Sequence, residues 1–293
     1  MLVIVGYIVV LGAVFGGFAL AGGHLAALLQ PVELLMIGGA ATGAFLVANP
    51  NKVIKGTLKA LPSLLRGSRY NKTLYLEMLT LLYDILAKVR KEGLMSIEAD
   101  VDAPGQSPIF AKYPKVVSDH HVVEFLTDYL RLMVGGNLNA FAIENLMDNE
   151  IETHHEEGGI PVHALEKTAD AMPAFGIVAA VMGVVHTMES VGIPPAELGK
   201  LIAHALVGTF LGILLSYGFV GPLAVLLEHK LAESSKMLQC VKVTLLASLN
   251  GYAPQVAVEF GRKVLYSTER PTFMELEEEV KQRKARPPPP QTP

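Results

Sequence analysis

Charge is missing from long parts of this sequence, and its absence sets the class of the protein. No Asp, Glu, Lys or Arg occurs in Leu2–Gln30, Leu34–Asn51, Ala171–Met188 or Leu201–Leu227. At about 1.5 Å per residue the last two runs cover roughly 27 and 40 Å, against a hydrocarbon core about 30 Å thick. Over all 293 residues only 18% are charged and 51% are hydrophobic, too apolar for a soluble domain of this size. The expected class is a multi-pass membrane protein. Basic residues are absent before Lys52, and between Lys167 and Lys230 only Lys200 occurs. No basic tract suited to nucleic acid stands out. A single cysteine, Cys240, excludes an internal disulfide and a Cys-rich metal centre, and reads as a packed, inert thiol.

Motifs for catalysis and metal binding are missing as well. His154, His155, Glu156 and Glu157 are consecutive, so their side chains fan around a helix instead of converging as in HExxH, and they read as a solvated helix end. Glu98–Gly105 resembles the start of a calcium loop but lacks the remaining ligand spacing and the terminal Glu. With no phosphate-binding loop and no nucleophile–base constellation, the chain is expected to be no enzyme and to hold neither metal nor cofactor. The spans also lack a mid-membrane carboxylate, since Glu33 and Glu189 stand at their edges. An ion relay needs a group that binds and releases the ion, so conduction would require an acid from another chain.

What the sequence does hold is turn chemistry between its apolar runs. Gly22, Gly23, Gln30 and Pro31 separate the first two, and Gly192, Pro194 and Pro195 the last two, giving two transmembrane hairpins. A basic region before the first run is lacking, as is a small-residue cleavage site, so a retained anchor is expected over a cleaved signal peptide. Basic residues stay on the cytoplasmic side, which puts Lys52–Asp170, the tail from Glu228 and both termini there. The expected fold is an all-α membrane protein with four spans. Residues 1–51 form the first hairpin, 52–170 a helical cytoplasmic domain, 171–227 the second hairpin and 228–293 a cytoplasmic helical tail, disordered from about 283.

Within the lobe, Asn51–Gly67 alternates Lys52, Lys55 and Lys59 with Val53, Ile54, Leu58 and Leu61. Such a helix can lie at the lipid headgroups or pack on protein, and the sequence leaves both open. Helical spacing predicts further helices over Asn71–Glu92, stopped by Gly93; over Ser118–Met133, capped by Ser118; and over Leu138–His155. After Gly158, Gly159 and Pro161 a separate helix is expected to lead to Pro173. The tail reads as a helix over Glu228–Leu249, broken at Asn250–Gly251.

In the fourth run Gly208, Gly212 and Ser216 recur every four residues, a ridge that lets another helix approach closely. Ala205, Thr209 and Gly212 form an adjoining small face. Thr209 can offer its hydroxyl to an internal water or ion path, or bond back to the carbonyl four residues earlier. His186 and His204 fall near the outer ends of their spans.

Three long strings, PAFGIVAAVMGVVH (Pro173–His186), AELGKLIAHALVGTFLGILLSYGFVGPLA (Ala196–Ala224) and Gln239–Glu278, closely resemble the MotA family of flagellar motor stator proteins. GTLKALP (Gly56–Pro62) and DYLRLMVGG (Asp128–Gly136) extend the resemblance over nearly the whole chain. The resemblance implies an inner-membrane subunit, five copies surrounding a dimer of MotB, whose span carries the proton-binding aspartate. It implies that Pro173 and Pro222 couple proton binding to movement and that Thr209 is the pore hydroxyl. Ala180 stands where sodium-driven relatives tend to have a hydroxyl, which favours protons as the driving ion. Arg90 and Glu98 correspond to the charged pair facing the rotor protein FliG. Residues 98–107 and 156–163 match less closely than the spans. The rivals are a proton-driven energiser of the ExbB or TolQ kind, opposed by four spans and the matching tail, and a secondary transporter, opposed by the missing intramembrane charge.

Overall fold

The computed structural model describes residues 2–65, 67–136, 139–189, 192 and 194–285, and no strand occurs among them. In chain order the helices are α1 (Leu2–Leu20), α2 (Pro31–Ala48), α3 (Asn51–Leu64), α4 (Lys72–Glu92), α5 (Glu98–Asp102), α6 (Pro114–Val117), α7 (His120–Gly135), α8 (Ala140–Glu189), α9 (Pro195–Leu215), α10 (Gly221–Leu249), α11 (Pro254–Val264) and α12 (Phe273–Ala285). A π-helical turn, Ser216–Val220, joins α9 to α10. The chain divides into two compact units: Met1–Gly67 with Gly158–Lys230, and Ser68–Glu157 with Leu231–Pro293.

The first unit holds the apolar runs. Four helical stretches, Leu2–Leu20, Leu25–Ala48, Ala140–Glu189 and Pro195–Leu249, contain windows long and apolar enough to cross a membrane. No residue of α1 is buried, and apolar side chains such as Leu20 stand 92% exposed. A helix that is apolar all round and still bare needs lipid or protein around it, because water would gain nothing by contact with it. The buried centre is small, formed by Ile37 and Ala41 of α2, Met172 and Ala179 of α8, and Val207 and Leu211 of α9. Prolines at 31 and 195 open α2 and α9, where a missing N–H costs nothing.

The second unit is built around α4, which buries Leu74, Met78, Leu81, Leu82, Ile85 and Leu86. Asn71 caps it, its side chain accepting from the Leu74 N–H at 3.0 Å, and Gly93 ends it with φ 86°. Along α4 pack α11 and α12, while α5 packs on α7. Phe110, Tyr113, Phe125 and Cys240 complete the core. Burial pushes the Cys240 thiol up to about 12, which leaves it uncharged and inert.

Several expectations change. No break follows Gly158: α8 runs through Pro161 and Pro173 as one helix of 50 residues. Each proline removes a backbone donor, and the loss is offset by burial of Val162, Ala164, Leu165, Ala169 and Met172 around them. The compact units accordingly do not follow the expected domain limits, because α3 and 158–170 group with the apolar helices. Asp119, not Ser118, stands at the start of α7, and Ser118 instead donates to the Lys115 carbonyl at 2.7 Å. The His154 pair lies inside α8 and not at a helix end. Leu138 and the residues from 286 onward lie outside the described residues, and 283–285 continue α12 where disorder was expected.

Candidate functional site

Small residues bring α8 and α9 together backbone to backbone. A Cβ added at Gly176 would stand 2.8 Å from the Gly208 carbonyl oxygen and 3.1 Å from the Gly212 Cα; one at Gly212, 2.7 Å from the Met172 oxygen; one at Gly183, 2.8 Å from the Ala205 Cβ. None of these positions has room for a side chain, so the seam depends on glycine from both helices. On α9 the seam is legible in the sequence as the Gly208, Gly212 ridge. Gly176 and Gly183, seven residues apart on one face of α8, carry the same signal on the partner helix.

The seam positions two of the expected site residues. A Cβ at Gly208 would meet the backbone nitrogen of Ala180 at 3.1 Å, and Thr209 follows Gly208 directly. Ala180 and Thr209 are both half-buried. Thr42 and Thr187 donate to carbonyls one turn back, Gly38 at 2.7 Å and Gly183 at 2.8 Å. Among the described residues, no such partner holds the Thr209 hydroxyl. It is therefore available to water or to a group from outside the chain.

Where α9 ends the hydrogen-bond register slips. The Gly221 N–H reaches back to the Ser216 carbonyl, five residues away, and Pro222 follows with no N–H to give. Ser216 is buried, with 2% exposed. The π turn is held from the side by α1: the Tyr7 hydroxyl donates to the Phe219 carbonyl at 3.0 Å, and the two rings lie 4.9 Å apart. Pro222 lines a cleft of about 710 Å³ with Ser216, Tyr217, Glu166, Ala169, Asp170 and His229. Asp170 is less than one turn before Pro173, and the carbonyl of Met172, beside Pro173, faces Gly212. Both expected prolines thus lie about one end of the α8–α9 seam. The π turn had no sequence signal beyond Gly218, Gly221 and Pro222 in close succession.

Arg90 and Glu98 belong to the second unit, on either side of Gly93. Both are exposed, and among the described residues neither forms an ion pair or a side-chain hydrogen bond. Their neighbours differ. Lys88 and the buried Asp100 pair at 2.7 Å, and Asp100 also accepts from Ser107 at 2.6 Å; Asp102 holds Arg131 at 3.2 Å. Asp100 and Asp102, two of the three acids of Glu98–Gly105, are therefore engaged by the protein, and among the described residues no cluster suited to a metal occurs.

A second polar cluster had no sequence signature. His154 Nε2 lies 3.0 Å from the Ser234 hydroxyl, which also meets the Tyr70 hydroxyl at 3.1 Å; Tyr70 donates to Asp119 at 3.1 Å, and Arg69 stands 3.5 Å from that carboxylate. The His121 ring lies beside His154, tilted by 57° with the centroids 6.2 Å apart. Burial, with the His121 charge, holds the His154 imidazole below its usual range, and burial pushes the Tyr70 phenol up to about 12. These residues come from four separated stretches of chain, so only the fold assembles them.

Two family models match: Motility protein A N-terminal over residues 4–93, and the MotA/TolQ/ExbB proton channel family over residues 118–240. Motility protein A of Salmonella typhimurium is 59% identical over 281 residues, 96% of this chain and 95% of that protein; the Escherichia coli protein of the same name is equally similar. The structure of C. jejuni MotAB shares the fold at a TM-score of 0.77 and 18% identity, covering 92% of this chain and 98% of that one. The flagellar MotAB stator complex from Bacillus subtilis matches at 0.68 and 25% identity, covering 87% and 92%. With sequence identity of this order along almost its whole length, the chain belongs to the motility protein A family.

Proposed function

We propose that the chain is the membrane subunit of a flagellar stator, which passes protons together with a MotB partner and turns their flow into torque. One observation carries the reading: two uncharged spans meet along a glycine seam, and the seam ends at a slipped helical turn followed by proline. A path along the seam has a free hydroxyl at Thr209 but no acid of its own, so the proton-binding carboxylate comes from the partner. Proton binding beside the seam then biases the π turn and the prolines near it, Pro173 in α8 and Pro222 in α10, where backbone bonds are left unmade and bending is cheap. Movement of one charge through 100 mV releases about 2.3 kcal/mol, enough to drive such a change. The work is mechanical and no covalent bond is made, so the protein is not an enzyme and needs no cofactor beyond the driving proton.

The finer features of this reading are the inner membrane as location, both termini in the cytoplasm, five copies around a MotB dimer, and FliG as the rotor partner. Support for the rotor contact comes from Arg90 and Glu98, which are exposed and, among the described residues, unpaired, and so can meet opposite charges on another surface. Ala180, lacking a hydroxyl beside the seam, supports protons over sodium.

Deletion of the gene tests the reading. Cells with assembled but motionless flagella, restored by the gene in trans, are expected; normal swimming with defective energised uptake across the envelope would favour an energiser of the TolQ or ExbB kind instead.

A further inference from the structure

The helix that follows the second span carries a charge arrangement that no acid among the described residues answers. α3 begins at Asn51, three residues after α2 ends at Ala48, with Pro50 between them. Its place in the chain therefore puts its first turn at the membrane boundary. Val53, Thr57 and Leu64 are buried and form one stripe of the helix. Lys52, Lys55 and Lys59 are all exposed and follow the spacing i, i+3, i+7, so they form a second stripe on one side. Leu58 and Leu65, seven residues apart between these stripes, are 58% and 55% exposed.

Acids are scarce in this part of the chain. From Leu34 to Leu76 the sequence contains no Asp or Glu, while it holds Lys52, Lys55, Lys59, Arg66, Arg69 and Lys72. Arg69 and Lys72 are paired with Asp119 and Glu275 in the second unit. Among the described residues, Lys52, Lys55 and Lys59 pair with nothing. Three like charges at adjacent turns repel one another, and they do so least against a negative surface. Exposed leucines flanking the stripe suit the boundary between headgroups and acyl chains, while lysine stems reach outward to phosphate.

We infer that α3 is a lipid-docking helix, in which Lys52, Lys55 and Lys59 hold anionic phospholipid headgroups of the leaflet that borders the second span. Continuity with that span and the charge of the stripe identify the occupant as membrane rather than protein. Each lysine at an anionic surface strengthens association roughly fivefold. The docked helix would fix the level at which α2 leaves the bilayer and brace the unit against sideways load.

The full chain, with its partner, is reconstituted in vesicles of phosphatidylcholine containing one fifth phosphatidylglycerol, and the association of spin-labelled phosphatidylglycerol is compared with that of spin-labelled phosphatidylcholine. The wild type is expected to prefer the anionic lipid several-fold. Lys52→Gln, Lys55→Gln and Lys59→Gln together should bring that ratio close to one, the corresponding Arg triple should retain it, and removal of Lys91, Lys263 and Lys281 should leave it unchanged. An undiminished preference in the Gln triple overturns the inference. So does a wild type with no preference, and so does a Gln triple that keeps the preference but loses motility, which would assign the stripe to a protein partner.

Discussion

The Tyr7 hydroxyl lies 3.0 Å from the Phe219 carbonyl, so the first span is tied to the π turn between α9 and α10 by a single hydrogen bond. The bond and the ring contact beside it act on the part of the fourth span whose register has already slipped. Tyr7→Phe removes the bond and keeps the ring. The expected loss is about 0.5–1.5 kcal/mol locally. Amide exchange over 216–224 should quicken several-fold while membrane insertion and partner binding stay normal. Unchanged exchange would mean that the tether does not hold the turn.

The glycine seam predicts a sharp contrast within one helix. Gly212→Ala puts a methyl 2.7 Å from the Met172 carbonyl, whereas Gly199, also in α9, has nothing within 4 Å of an added Cβ. Gly212→Ala should cost about 1–3 kcal/mol by overpacking and abolish or greatly slow swimming. Gly199→Ala should be silent. Thermal stability of the purified complex and swarm diameter read the two together.

Arg90→Glu and Glu98→Lys should each impair motility with stability changed by no more than about 0.5 kcal/mol, because both side chains are exposed and unpaired among the described residues. Complementary charge changes on the rotor protein should restore torque. Normal swimming in both variants would remove these residues from the rotor surface.

The His154 cluster predicts a pH dependence with a definite sign. In the folded chain burial and the neighbouring His121 and His155 lower the His154 pKa, against the opposing pull of Asp119 and Glu157. The unfolded chain therefore binds the proton more readily, so folding stability is complete above pH 6.5 and falls as pH drops from there towards the lowered value. The melting temperature of the second unit should decline over that window in the wild type. His154→Gln, which keeps a polar group towards Ser234, should flatten the decline. A wild type whose melting temperature does not change over the window would contradict the assignment.

Much of the membrane unit was legible because its signals are local. Uncharged runs mark spans, Pro31 and Pro195 mark the turns between them, and Gly208 and Gly212 mark a packing ridge. Asn71 and Gly93 bounded α4 correctly for the same reason, since caps act within one turn. What escaped the sequence depends on partners distant in the chain. Proline and glycine at 158–161 look like a break, yet packing along the helix holds α8 continuous. Ser118 looks like a cap, yet Arg69 and Lys115 engage it. His154 looks like a solvated charge, and only the arrival of Ser234 and His121 from elsewhere makes it half-buried and hydrogen-bonded. The π turn is a slip of one residue in hydrogen-bond register, and tertiary contact with Tyr7 does not show in local periodicity.

Proton flux in sealed vesicles tests the central claim most directly, that this chain shapes a proton path but lacks the acid to operate it. The chain alone is expected to give no flux above background, the chain assembled with a partner carrying a membrane aspartate is expected to give flux, and changing that aspartate to asparagine is expected to abolish it. Flux through the chain alone at a rate comparable with that of the complex would contradict the claim.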